Sequence, residues 1–167
     1  MIVVVMGVSG SGKSTLAARL VERTGWAFAE GDDYHTEANR ARMAAGIALT
    51  DEDRLPWLDA LHRVLAGWER EGASGILTCS ALKQSYRERL TAGMADARLV
   101  WLDPPRALIE SRLALRTGHY MNPKLLDSQL ETLEAPEGAN VLHMAGGESA
   151  DEAADIFMAW MGLGIEQ

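Results

Sequence analysis

Between Gly7 and Ser14 the sequence runs G-V-S-G-S-G-K-S, which matches the spacing G-x-x-x-x-G-K-[ST] at every fixed position. Glycines at 7, 10 and 12 let the backbone take positive φ and approach a ligand closely, so that successive N–H groups line a concave anion site. That site opens a helix, whose unpaired N–H groups and dipole already favour negative charge. Gly7, Val8, Ser9, Gly10, Ser11, Gly12 and Thr15 are the expected nucleotide-binding backbone. Lys13 adds a charge that reaches the β- and γ-phosphates, and the Ser14 hydroxyl is the expected Mg²⁺ ligand. Such a loop binds a nucleoside triphosphate; by itself it does not say what becomes of it.

Further candidates are spread along the chain. Glu30, Asp32 and Asp33 form an acidic cluster followed by His35, where Asp32 or Glu30 could orient a substrate hydroxyl or a metal-bound water. Helix capping is the plainer use of an Asp there. Arg54 stands among acids, either paired with them or gripping an anionic substrate. Ser80, Lys83 and Arg87 bring a hydroxyl and two cations, the latter four residues apart and expected on one helix face. Arg112 and Arg116 repeat that spacing just before the segment Thr117 to Lys124, whose Gly and Pro suggest a lid closing over phosphates.

The elements that must carry these groups are legible from pattern. Ile2 to Val5 is an uncharged β-branched run suited to a strand buried on both faces, and Thr15 to Arg23 favours helix. Further strands are expected at Trp26 to Ala29, Gly75 to Cys79, Ala97 to Leu102 and Asn140 to Met144. Helices are expected at Thr36 to Ala45, after an N-cap at Thr50 or Asp51 with Pro56 and Trp57 near the first turn, at Leu125 to Leu133, and at Ser149 to Met161. Strands alternating with helices give an α/β protein with a doubly wound, five-stranded parallel sheet, in which ligands bind at the carboxyl ends of the strands. The acidic cluster and the group Ser80, Lys83 and Arg87 fall at that edge with the phosphate loop, and Gly146 and Gly147 follow the fifth strand, where a loop could approach a base. The third strand carries no Asp for a metal, which leaves Mg²⁺ with Ser14, phosphate oxygens, water and Glu30 or Asp32.

The 167 residues suit one domain, 1–167, with a lid at approximately 112–135. A net charge of −8 gives no general attraction for nucleic acid or for an anionic membrane, so an anionic substrate needs local Arg and Lys. The single cysteine, Cys79, excludes an internal disulfide and reads as a small buried residue. No stretch approaches the roughly 20 apolar residues of a membrane span, and the chain enters its first strand without a basic leader. The expected location is the cytoplasm.

The chain resembles the gluconokinases, small P-loop kinases related to shikimate and adenylate kinases. The resemblance is carried by GVSGSGKS (Gly7 to Ser14), GDDYH (Gly31 to His35), NRARM (Asn39 to Met43), DEDRLPWL (Asp51 to Leu58), CSALKQSYR (Cys79 to Arg87), ESRLALRTGHYM (Glu110 to Met121) and QLETLEAP (Gln129 to Pro136). The first motif is generic; DEDRLPWL and CSALK with R-x-G-H are far more specific. This resemblance implies a P-loop NTPase fold with a helical lid, and transfer of phosphate from ATP to the 6-hydroxyl of D-gluconate. Oligomeric state stays open, though relatives of this size are often homodimers. By the same resemblance Asp32 orients or deprotonates the hydroxyl, and Arg54, Arg87, His35 and Lys83 hold the sugar acid. Arg112 would lie near adenine and Arg116 would close on the phosphates. Glu30 departs from the family's usual Asp, Thr36 from a common Pro, and Leu130 from a common Phe.

Two other readings compete. One is the same chemistry on a different small hydroxylated acid, such as shikimate. The other is a nucleotide-dependent switch, for which the D-x-x-G and N-K-x-D elements of a GTPase are missing.

Overall fold

The computed structural model describes residues 1–116 and 123–164. Five parallel strands, β1 (Ile2–Met6), β2 (Ala27–Glu30), β3 (Gly75–Thr78), β4 (Ala97–Leu102) and β5 (Val141–Met144), form one sheet in the order β2-β3-β1-β4-β5. β1 is therefore central. It pairs with β3 and β4 in a register that sets Val3 beside Ile76 and Arg98.

The uncharged run of β1 follows from that position, since both of its faces are covered. Ile2, Val4 and Met6 face a core built with Trp57, Leu58, Leu61 and Leu65 of helix α3 (Asp51–Arg70). Val3 and Val5 face the opposite layer, made by Leu16 and Leu20 of α1 (Lys13–Thr24) and Ala154 and Phe157 of α7 (Ala150–Trp160). Neither side leaves room for a polar side chain.

The remaining helices are α2 (Glu37–Ala44), α4 (Gln84–Leu90), α5 (Arg106–Leu115) and α6 (Pro123–Thr132). A third, smaller core of Val8, Leu82, Ile109 and Leu126 seats α5 and α6 on the loops that follow β1 and β3. Two helix starts carry full capping boxes, Thr50 with Asp53 and Ser149 with Glu152.

Three local expectations are corrected. Lys83 is not on the face of α4 but is its N-cap, in extended conformation, so it does not share a helix face with Arg87. Arg116 is likewise the extended C-cap of α5, outside the helix that carries Arg112. Pro56 falls in the second turn of α3, five residues after its start. The core of the expected lid, Thr117 to Asn122, lies outside the described residues.

Candidate active site

The loop after β1 is folded for anions by its glycines. Gly7 has φ 146°, and a Cβ there would lie 2.6 Å from the Leu102 carbonyl oxygen. Gly12 is the N-cap of α1 at φ 101° and has no side chain to spend on the first-turn N–H groups, which stay available to phosphate oxygens. Lys13 lies along the loop, donating from Nζ to Gly7 O at 2.9 Å and to Val8 O at 3.0 Å. Burial pushes its ammonium below the ordinary lysine range, while Asp32 and Glu30 oppose that shift.

Beyond the loop, a cleft of about 360 Å³ is lined by Gly12, Thr15, Leu102, Pro104, Arg112, Arg116, Met144, Gly146 and Gly147. Arg112 Nη1 donates to Ser11 O at 3.0 Å, so this guanidinium is braced against the phosphate loop. Arg116 is exposed at the rim. The two glycines after β5, Gly146 and Gly147, line the same cleft as Arg112.

On the other side of the loop the strand ends cooperate. Ser14 Oγ donates to Glu30 Oε2 at 2.7 Å, and Thr78 Oγ1 donates to Glu30 Oε1 at 2.5 Å. Glu30 and Thr78 are register partners in β2 and β3. The carboxylate missing from the third strand is thus supplied by the strand beside it. Gly31 follows at once, and a Cβ there would lie 2.1 Å from Thr78 O, so the chain can pass only as glycine.

Gly31–Tyr34 form a single 3₁₀ turn that presents Asp32 and Asp33 to solvent. His35 ends it and stacks on Trp57, with ring centroids 4.1 Å apart and planes 16° from parallel. Trp57 Nε1 in turn donates to Gly31 O at 2.7 Å. Trp57 is a core residue at 2% exposure, yet it also fixes the acidic turn. Burial lowers the His35 pKa, so the ring is neutral at pH 7 and its Nδ1 is buried without a hydrogen-bond partner among the described residues.

The four remaining predicted groups fare differently. Arg54 Nη1 donates to Leu49 O at 2.6 Å and to the Tyr86 hydroxyl at 3.1 Å, and forms no ion pair among the described residues. Lys83 Nζ is paired with Asp51 at 3.0 Å, and the Tyr86 hydroxyl donates to the same carboxylate. These bonds hold the Asp51 carboxyl below the usual range, and burial together with the bond to Asp51 raises the Tyr86 phenol above its own. Arg87 is turned inward, buried, donating to Ala81 O at 2.9 Å and Leu82 O at 3.0 Å. It braces a bend in which Ala81 takes φ 45°, a left-handed conformation uncommon for a residue with a Cβ. Ser80 closes that bend against the phosphate loop, its carbonyl accepting from Gly7 N at 3.4 Å.

One edge of the sheet therefore assembles the loop after β1, Glu30, Asp32, His35, Arg54 and Lys83, with Arg112 and Arg116 lining the cleft beyond the loop. Tyr86 and Asp51, which set Arg54 and Lys83, were not singled out by sequence reasoning. Their pairing joins helix starts 35 residues apart, for which no local pattern exists.

A phosphate loop at the hinge of a parallel sheet, an acid across from it and a separate cation beyond define a small-molecule kinase of the P-loop class. Comparison with known proteins carries the assignment further. Residues 2–136 match the family described as an AAA domain. The chain is 45% identical to the gluconokinase of Gluconobacter oxydans (strain 621H) over 89% of its length and 84% of that protein's. It is 44% identical to the probable gluconokinase of Mus musculus, over 94% of this chain and 95% of that one. The crystal structure of a gluconokinase from Sinorhizobium meliloti 1021 superposes with a TM-score of 0.85 at 38% identity, covering 96% of this chain and 90% of the other. The chain belongs to the gluconokinase family.

Proposed function

We propose that this protein transfers the γ-phosphoryl group of ATP to the 6-hydroxyl of D-gluconate, giving 6-phospho-D-gluconate and ADP. The observation that carries this reading is Arg54, a guanidinium at the acceptor side of the site with no carboxylate partner among the described residues. An aldonate supplies the missing anion at one end of a chain whose other end is a primary alcohol. Asp32, exposed on its short turn, is the group that meets that alcohol.

The transfer needs little covalent help. The acceptor oxygen forms a bond to phosphorus as the β–γ bridging bond breaks, and the hydroxyl proton passes to Asp32. Lys13, the uncapped amides of α1 and Arg116 balance charge spreading over the transferred group. His35, neutral and fixed by Trp57, offers a hydrogen bond to a sugar hydroxyl rather than a charge to its carboxylate.

The residues present fit Mg²⁺ bound mainly through phosphate. Ser14 provides a hydroxyl ligand and Glu30 accepts its hydrogen bond, while no group of three His, Cys, Asp or Glu among the described residues forms a protein cage. The ion's chemistry, when bound, is to neutralise the β- and γ-phosphate oxygens. Among the described residues no helix is long and apolar enough to cross a membrane, in keeping with work in the cytoplasm on a soluble metabolite.

The test is ADP release with Mg·ATP against D-gluconate, shikimate, related aldonates and no acceptor. Turnover on gluconate alone is expected. Turnover on another acid with none on gluconate would discard the substrate and keep the kinase, and silence on all of them would discard both.

A further inference from the structure

Gln129 lies on α6, and its carboxamide oxygen accepts a hydrogen bond from the Ser9 backbone N–H at 2.8 Å. The Ser9 N–H and the Val8 C=O belong to one peptide unit. A trans peptide is planar, so its two polar ends point in opposite directions and turn together. The opposite end of this one, Val8 O, accepts from Lys13 Nζ at 3.0 Å and from Ser11 N at 3.2 Å. A single rigid plane thus connects the carboxamide on α6 to the ammonium of the phosphate-binding lysine.

We infer that Gln129 is a positioning residue for phosphoryl transfer, holding the Val8–Ser9 peptide in the orientation that sets Lys13 within the phosphate loop. The inference rests on the kinase reading above and deepens it. Two further features support it. Among the loop's backbone amides, Gly7 N donates to Ser80 O, Ser9 N to Gln129 and Ser11 N to Val8 O, while those of Val8, Gly10, Gly12 and Lys13 donate to no acceptor among the described residues. Gln129 therefore occupies the Ser9 amide and leaves the open amides to phosphate. Its own placement is firm, because α6 is packed through Leu126 and Leu130 against Val8, Leu82 and Ile109.

Without the carboxamide, the half-buried Ser9 N–H loses its acceptor and the peptide is held only at its Val8 O end, which frees it to rotate. Rotation carries Val8 O off Lys13 and turns a carbonyl dipole toward the triphosphate, where it repels. The damage falls on transfer, not on the grip of the acceptor.

The experiment compares Gln129→Met, which keeps the length and packing but has no acceptor of comparable strength, with Gln129→Glu, which keeps an acceptor. At saturating Mg·ATP, Q129M is expected to lose at least tenfold in kcat with KM for gluconate changed less than twofold, and Q129E to keep more than a third of wild-type kcat. The ¹³Cε resonance of Lys13 in lysine-labelled protein without substrate should shift in Q129M and stay in place in Q129E. A kcat for Q129M within twofold of wild type, an equal loss in both variants, or an unmoved Lys13 resonance in Q129M overturns the inference. Should Q129M fail to fold, a tenfold loss in Q129E overturns it alone. Wild-type turnover on gluconate judges the proposed activity separately, and the resonance needs no substrate at all.

Discussion

Ser14 Oγ donates a hydrogen bond to the Glu30 carboxylate at 2.7 Å, joining the start of α1 to the end of β2. The same carboxylate takes the Thr78 hydroxyl on its other oxygen, so Glu30 spans two strands and aims the hydroxyl that would meet Mg²⁺. Groups that orient a metal ligand from behind typically change metal affinity about 10- to 100-fold when altered. Glu30→Gln is expected to raise the Mg²⁺ concentration for half-maximal activity roughly tenfold, because the neutral amide keeps the shape and loses the charge. Glu30→Asp, one methylene shorter, should be impaired as well, since it cannot reach Ser14 and Thr78 together. A Mg²⁺ titration of the coupled assay reads both; unchanged curves would remove Glu30 from the metal's surroundings.

Arg54 offers the acceptor's carboxylate its unpaired guanidinium edge, held in place by Leu49 O and Tyr86. A hydrogen bond to a charged group contributes about 1.5–3 kcal/mol, so Arg54→Ala should raise KM for gluconate by about 10- to 100-fold. The same variant should narrow the preference for gluconate over the neutral polyol D-glucitol, which has no carboxylate to lose. Tyr86→Phe should show a smaller rise in the same direction, because Arg54 keeps its bond to Leu49 O. Measured KM values for the two acceptors decide the point. Equal losses on both would mean that Arg54 supports the fold rather than reading charge.

His35 predicts a pH dependence. Burial lowers its folded pKa from the ordinary 6.5, with Asp32 opposing and Arg54 and Arg40 reinforcing that shift. Between 6.5 and the lower folded value, the unfolded chain binds more protons than the folded one, so stability is lost as pH falls through that window. The melting temperature should drop from pH 7.5 to 5.5, and His35→Gln should flatten that slope. An unaltered slope in His35→Gln would show that the ring titrates normally.

Much of this was legible in one sequence. The run Ile2 to Val5 demanded a strand covered on both faces, Gly7 to Ser14 demanded an anion site at a helix start, and an N-cap was expected at Thr50 or Asp51, of which Thr50 is the one that opens α3. These are local rules, in which spacing along the chain maps directly onto geometry. The fate of the cations was not legible. Arg87 and Lys83 have the right type and spacing, but the path of the bend at Ala81 turns one inward and extends the other toward Asp51. The tie from Gln129 to Ser9 crosses 120 residues and has no periodic signature. Such pairs depend on where loops pass one another, which periodicity does not encode.

Asp32 offers the cleanest separation of chemistry from folding. It sits exposed on the Gly31–Tyr34 turn, and among the described residues its carboxylate takes part in no hydrogen bond or ion pair. The turn is fixed instead through its backbone and neighbours, by Trp57 Nε1 on Gly31 O and by the close passage of Gly31 against Thr78. Removing the carboxylate should therefore change stability by no more than about 0.5 kcal/mol, as for most surface changes. A positioned acid–base group contributes roughly 10²- to 10⁴-fold to a rate, so Asp32→Ala should lower kcat by that order while KM for ATP stays near wild type. Asp32→Asn, which can still accept a hydrogen bond from the hydroxyl but not its proton, distinguishes the two roles. A kcat close to wild type in Asp32→Asn with loss in Asp32→Ala identifies an orienting group, and equal losses in both identify a base. Wild-type turnover in Asp32→Ala would place the acceptor hydroxyl elsewhere along the strand ends.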